Sequence, residues 1–150
     1  MGLDMYLKGK MYVSPYSDTE LHTKLNTLTK EMGLDFPANE IVLQAAYWRK
    51  ANHIHKWFVD NVQEGVDNCG EYYVSRDTLE ELVVTCEDVL KDHSKAEELL
   101  PTESGFFFGS TEYDEYYYND IKNTIKMLKP LLDSNNTKTQ DLSFYYGSSW

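Results

Sequence analysis

The chain opens on a two-residue alternation, Leu3, Met5 and Leu7 against Asp4, Tyr6 and Lys8, and closes on a strand-prone run, Ser143-Phe144-Tyr145-Tyr146. No other feature constrains the fold as much. A half-buried strand must find a partner for its backbone, and two terminal strands can pair only if everything between them folds back over one face. The intervening apolar residues recur mostly at three and four positions, the period of helices. The expected architecture is therefore α+β: a small, mainly antiparallel sheet with N-terminal, central and C-terminal strands, about four helices packed on one face, and a single domain spanning residues 1–150.

The first strand is expected to run to about Val13. Ser17 and Glu20 have capping-box spacing ahead of Leu21, Leu25, Leu28 and Met32, which share one helical face ended by Gly33. Glu40 to Trp48 suits a central strand, and Ala51, Ile54, Phe58 and Val62 predict a helix that stops near Gly65. A short Tyr72-Tyr73-Val74 strand follows, and Ser75 caps a helix whose stripe is Leu79, Leu82, Val83, Cys86, Val89 and Leu90. Ser94 to Leu100 reads as a short helical piece before Pro101. The last helix is placed from about Glu112 to Lys129, with Thr111 and Asp114 at capping-box spacing and Pro130 as its end or kink.

A hydrophobic content of 41% is too high for a disordered chain, and no apolar run approaches the ~20 residues of a membrane-spanning helix. The start lacks a secretory pattern and Cys69 and Cys86 lack metal or redox spacing, so a reducing cytoplasm is expected. A formal net charge of -11 disfavours duplex nucleic acid as a partner. It does not disfavour one small phosphate-bearing ligand, because two or three nearby cations outweigh a screened distant field.

Positive charge gathers in one place. Tyr47 to Phe58 holds five cations or imidazoles and four aromatic rings in twelve residues, including Arg49, one of only two arginines in the chain. Trp48, Arg49 and Lys50 fall at a predicted strand-to-helix junction, where outward-pointing backbone donors favour anions. Arg49 and Lys50, with Arg76, are candidate phosphate ligands; Trp48, Trp57 and Tyr73 are candidate ring surfaces for a base, and His53 a hydrogen-bonding group one turn before Trp57. The competing reading makes Trp48 and Trp57 core anchors and His53 a solvated polar residue. His53 and His55 diverge by ~200° on a helix and cannot readily share a metal ion; no metal and no cofactor are expected.

Gly105-Phe106-Phe107-Phe108-Gly109 has glycines before a helix start but no P-loop lysine, and the acids that follow would repel phosphate. Phe106, Phe107 and Phe108 read either as a core plug or as a hydrophobic lip over a pocket or interface. Tyr113, Tyr116, Tyr117 and Tyr118 cover all sides of one helix, so some must face outward, where tyrosine commonly marks a ligand or protein surface.

The opening MGLDMYL, the central YWRKANHIHKWFVDNVQEGVDNCGEYYVSR, the FFFGSTEYDEYY segment and the closing SSW resemble a family of small tailed-phage proteins. The resemblance covers most of the chain and is weakest from Lys10 to about Asn39. It implies an accessory phage protein working in the host bacterial cytoplasm, where such proteins often counter host defence. With the aromatic and cationic cluster, the expectation is a non-enzymatic homo-oligomer that sequesters a nucleotide-derived immune signal, such as a cyclic ADP-ribose isomer. Two alternatives stand beside it: an inhibitor that binds a host protein through its acidic, tyrosine-rich Glu112 to Asp120 face, and a small nucleotide hydrolase using His53 or His55 with carboxylates.

Overall fold

The alternation that starts the chain becomes β1 (Asp4–Tyr12), which lies inside the sheet with a partner on each side. The computed structural model describes residues 2–150. β2 (Glu40–Arg49) and β4 (Ser143–Ser149) flank β1, and β3 (Glu71–Val74) extends the sheet beyond β4, giving the antiparallel order β2-β1-β4-β3. The termini therefore pair directly, with Met5 opposite Ser148 and Leu7 opposite Tyr146. Between the strands lie α1 (Thr19–Glu31), α2 (Asn52–Val62), α3 (Arg76–Lys91), the short α4 (Ala96–Leu99) and α5 (Glu115–Leu132). The fold is α+β. No helix of the described residues is long and apolar enough to cross a membrane.

One sheet face carries Leu3, Met5, Leu7, Trp48, Phe144 and Tyr146 into a continuous core with α2, α3 and α5. Its centre is aromatic: Phe58 of α2 stacks on Tyr146 of β4 with ring centroids 4.0 Å apart, and Trp48 and Trp57 meet Phe58 edge-on. The opposite face carries Tyr6, Tyr47, Tyr73 and Tyr145, interleaved with Lys8 and Lys10, both of which pair with Glu71.

The predicted apolar stripe of α3 is largely buried, and Ser75 caps that helix by accepting the Thr78 amide. Two predicted caps are corrected. α1 begins after Asp18 rather than Ser17, and the Asp18 carboxylate accepts from the Ser14 amide and the Ser17 hydroxyl instead of capping its own helix. α5 begins at Glu115, not Glu112, because Asp114 accepts the Tyr117 amide and so fixes the first turn three residues after Thr111. It also runs through Pro130 to Leu132, since a proline in the last turn removes one hydrogen bond without stopping the turn. The stripe of α1 has no core to enter: none of its residues is buried, and Leu28 and Met32 are exposed.

Candidate functional site

β2 hands over to α2 through Lys50, whose φ of 55° lies in the left-handed region. A non-glycine residue there carries strain that the surroundings must hold. The Lys50 amide donates to Leu3 at 2.8 Å, and the Leu3 amide donates to Phe107 at 3.1 Å, so the N-terminal segment is tied between the strand end and the aromatic loop. Glycine makes the room. A Cβ on Gly2 would lie 3.1 Å from the Lys50 Cε, and one on Gly109, itself at φ +84°, would lie 3.1 Å from the Lys50 Cβ.

Asn52, the first residue of α2, holds the roof of this region. Its amide donates to the Phe108 and Ser110 carbonyls at 3.0 and 2.9 Å, and its Oδ1 accepts the Glu103 amide at 3.0 Å. Nothing in the sequence singled it out, because its partners are backbone atoms fifty or more residues away. Asn52→Ala strands three backbone groups, one of them in a buried setting and two in partly buried ones. A loss of about 2–3 kcal/mol is expected, read as a lower urea midpoint with an unchanged slope.

Beneath that roof is a cleft of about 440 Å³, within the range of small-ligand sites. Arg49, Lys50 and His53 form one wall, and Glu112, the α5 cap Asp114, and Tyr116 and Asp120 of α5 form another. Two segments that the sequence could only treat separately thus meet. A larger groove of about 690 Å³ between α3 and α5 is lined by Val83, Val84, Pro130 and Leu132 together with Glu80, Lys129 and Asp133, and holds no guanidinium, imidazole or aromatic ring, so the smaller cleft is the candidate site. Among the described residues no group of three or more His, Cys, Asp or Glu side chains is arranged to hold a metal ion.

His53 is not the solvated residue that one reading allowed. It is 3% exposed, its ring lies 4.2 Å from that of Tyr117, and its Nε2 has no hydrogen-bond partner in the protein. Buried polar atoms are rarely left so, and His53 is among the residues that line the cleft, although its Nε2 is itself shut off from solvent. Burial lowers its pKa to about 4, opposed by a backbone contact with Tyr117, so the imidazole is neutral at pH 7. Across the cleft, burial and then the neighbouring Asp114 raise the Asp120 carboxyl to about 6.

The two shifts act on stability with opposite signs. Between pH 6.5 and about 4 the unfolded chain protonates His53 while the folded chain resists, so this contribution to stability falls as pH drops. Between pH 3.8 and about 6 the folded chain keeps the Asp120 proton that the unfolded chain releases, so that contribution falls as pH rises. Asp120→Asn should therefore stabilise the protein at pH 7 to 8 by about 1 kcal/mol, allowing for solvent screening of a partly exposed group, and leave it unchanged near pH 3.8. Thermal melts of the two proteins at both pH values measure the difference.

The other predicted site residues lie elsewhere. Trp48 is buried in the core with its indole donating to Thr124 at 2.8 Å, and Trp57 packs in the same aromatic cluster; neither has a free face in the cleft. Arg76, at the start of α3, donates to the Leu131 carbonyl at 2.8 Å and to that of Thr139, and lies over Phe144, where it holds the end of α5 and the following turn. Tyr73 is on β3, three strands from β2. Trp48, Trp57 and Arg76 were drawn to the fold rather than to the cleft by burial or by backbone acceptors, while Tyr73 stays exposed on the far side of the sheet against Tyr145.

The phenylalanine loop divides its roles. Phe108 is the plug, buried edge-on against His55 and close over Gly105; Phe107 is half-buried and Phe106 fully out in solvent. Tyr113 accepts the Thr102 amide and packs on Tyr117, while Tyr116 stands exposed at the cleft. His55 points away from the cleft into a buried chain: its Nδ1 meets the Tyr146 hydroxyl at 2.6 Å and its Nε2 meets Asp67 at 2.9 Å, whose other oxygen accepts the Trp150 indole at 3.1 Å. None of the residues of that chain lines the cleft, which leaves His53 as the histidine of the site.

Comparisons with protein-family models, with curated proteins and with solved structures return no match to this chain. The chemistry of the cleft therefore stands on its own side chains.

Proposed function

We propose that the protein binds a small nucleotide-derived ligand in the cleft between β2, α2 and α5, holding it without turnover. The observation that carries this reading is the convergence of Arg49 and Lys50 with the unpartnered Nε2 of buried His53, opposite the exposed ring of Tyr116. Arginine takes phosphate bidentately, and Lys50, held in place by Gly2 and Gly109, adds a second cation. Tyr116 offers a base one ring face, a contact worth roughly 1–3 kcal/mol. The carboxylates of Asp114 and Asp120 are acceptors for ribose hydroxyls and exocyclic amines, which suits a ligand with both phosphate and sugar rather than a bare anion.

In line with the resemblance to tailed-phage proteins, the ligand class is a nucleotide immune signal such as a cyclic ADP-ribose isomer or another ADP-ribose conjugate. Capture alone lowers its free concentration, provided that the protein is in excess and the affinity is tighter than the signalling level. A ligand at 100 times its Kd would add about 2.7 kcal/mol to the stability of the folded state.

A second reading is hydrolysis of such a ligand. It is favoured by one specific feature, the Asp120 carboxyl raised to about 6, the range in which a carboxylate serves as a general base near neutrality. One experiment separates the two. Thermal shift against ADP-ribose, NAD, cyclic ADP-ribose isomers and cyclic dinucleotides, followed by chromatography of the mixture, should give a stabilising ligand recovered intact. Recovery of a cleaved product would make the protein a hydrolase. No response from any member of the panel would reject nucleotide binding in favour of a protein partner on the Glu112 to Asp120 face.

A further inference from the structure

We propose that two copies of this chain associate through the outer edge of β2, antiparallel about a two-fold axis between Gln44 and Ala45, so that Glu40 of each copy faces Arg49 of the other. The inference is independent of what the cleft binds.

β2 is the end strand of the sheet, hydrogen-bonded to β1 alone, and it is ten residues long. Between Glu40 and Arg49 it reads Ile-Val-Leu-Gln-Ala-Ala-Tyr-Trp, with no charge and no proline. Edges of this length are normally guarded by charged side chains, proline, a bulge or a covering element, since an open row of amides and carbonyls invites another strand; β2 carries a bulge but, between its end residues, neither charge nor proline. Apolar exposure concentrates on the same part of the molecule. Tyr12, Leu28, Met32, Phe36, Val42 and Leu43 are all large exposed side chains in the sequence between β1 and the middle of β2, and no residue of α1 is fully buried in its own chain.

The register decides that the partner is a second copy. Lys8 pairs with Gln44 and Leu7 with Ala46, so Ala45 is an extra residue in β2, and the alternation of faces reverses across it. Glu40 and Val42 lie on the open face before this bulge, as Tyr47 and Arg49 do after it; Ile41 and Leu43 lie on the helix-covered face, as Ala46 and Trp48 do. A two-fold pairing centred between Gln44 and Ala45 sets Glu40 opposite Arg49, Ile41 opposite Trp48, Val42 opposite Tyr47 and Leu43 opposite Ala46. Every pair then shares a face, and the only two charges on the strand meet as opposites at both ends. Moving the register by one residue would set each inward side chain against an outward one.

Packing agrees with this register. The first half of β2 is uncovered on the helix side, where Leu43 is 48% exposed, whereas the second half is sealed at Ala46 and Trp48 beneath α5, through the Trp48–Thr124 hydrogen bond. Two-fold pairing lays the bare half of one strand beside the sealed half of the other, and Leu43 comes under the α5 of the second copy. The sheets join into one of eight strands. Glu40 of the second copy then stands beside Arg49 at the rim of the cleft.

Sedimentation analysis of the wild-type protein should show a dimer. Leu43→Lys should weaken it at least about tenfold, with the circular dichroism spectrum unchanged. Glu40→Arg should weaken it too, and Glu40→Arg with Arg49→Glu should restore it. Should a lysine variant fail to fold, cross-linking still decides. In a Cys69→Ser background, needed because Cys69 is exposed, Val42→Cys with Tyr47→Cys should give a covalent dimer on oxidation, and neither single cysteine should. Directly opposite residues lie about 4.5–5.5 Å apart, whereas five residues along one strand span about 16 Å, which rules out a bond within one chain. A wild-type monomer at about 100 μM, roughly 100 times a micromolar Kd, or a dimer that resists Leu43→Lys and yields no cross-link, would overturn the proposal.

Discussion

Arg49→Ala is expected to weaken nucleotide binding by about one to two orders of magnitude while leaving the fold intact. The side chain is 58% exposed and its nearest carboxylate, Asp4, is 4.0 Å away, a surface pair worth at most about 1 kcal/mol. Against a bound phosphate the same guanidinium makes charge-assisted hydrogen bonds of about 1.5–3 kcal/mol, so its loss should weaken binding by roughly 10- to 150-fold. Calorimetry with the panel member that gives the largest thermal shift measures this directly, and the unliganded melting temperature should stay within about 2 °C of wild type. Lys50→Met is the informative companion. It keeps the aliphatic stem between Gly2 and Gly109 and removes only the charge, so a binding loss there reports electrostatics rather than packing. If Arg49→Ala binds like wild type, phosphate recognition by this wall of the cleft is wrong.

The largest loss of stability is expected from Phe58→Ala. Phe58 has no exposure, stacks on Tyr146 at an interplanar angle of 8°, and receives the edges of both Trp48 and Trp57. Truncation removes the hub of that cluster and leaves a cavity enclosed by rigid rings that cannot collapse into it, a loss of about 3–5 kcal/mol. For a chain of this size that lowers the melting temperature by roughly 10 °C or more. The second consequence is local: α2 carries Asn52 and His53 one to two turns earlier, so the cleft should loosen as the helix does. Hydrogen exchange at the α2 amides should rise more than at those of α3, and equal loss in both helices would show that Phe58 supports the whole core rather than α2 in particular.

Much of the fold was legible because it rests on period. The alternation of Leu3, Met5 and Leu7 and the apolar stripe of α3 each describe a surface that must be covered, and local sequence carries that information. Boundaries were less legible where a side chain had two nearby options. Asp18 is spent on Ser14 and Ser17, and Asp114 took the cap that Thr111 could also have supplied. The candidate site was half visible. Arg49, Lys50 and His53 were singled out because cations cluster there, and Tyr116 because four tyrosines cannot all face inward. That they face each other is a property of how α5 crosses the end of β2, which no local pattern encodes.

Arg76, Trp48 and Trp57 show the converse. As residue types they are the ones a nucleotide site would use, and by sequence they could not be separated from Arg49. Burial and backbone acceptors far along the chain assigned them to structure: Thr124 for Trp48, Leu131 and Thr139 for Arg76. Asn52 was invisible for the same reason, since its three partners are main-chain atoms of a loop brought to it by folding.

By itself the sequence determined the class of fold, the pairing of its two ends and the single place where positive charge gathers, because each follows from the spacing of side chains along a local element. Only the tertiary structure decided which cation faces a cavity, which histidine is left without a partner and which strand edge is left open. Those depend on contacts between residues tens of positions apart, and their energies are set by burial, which no single segment possesses until the others have packed against it.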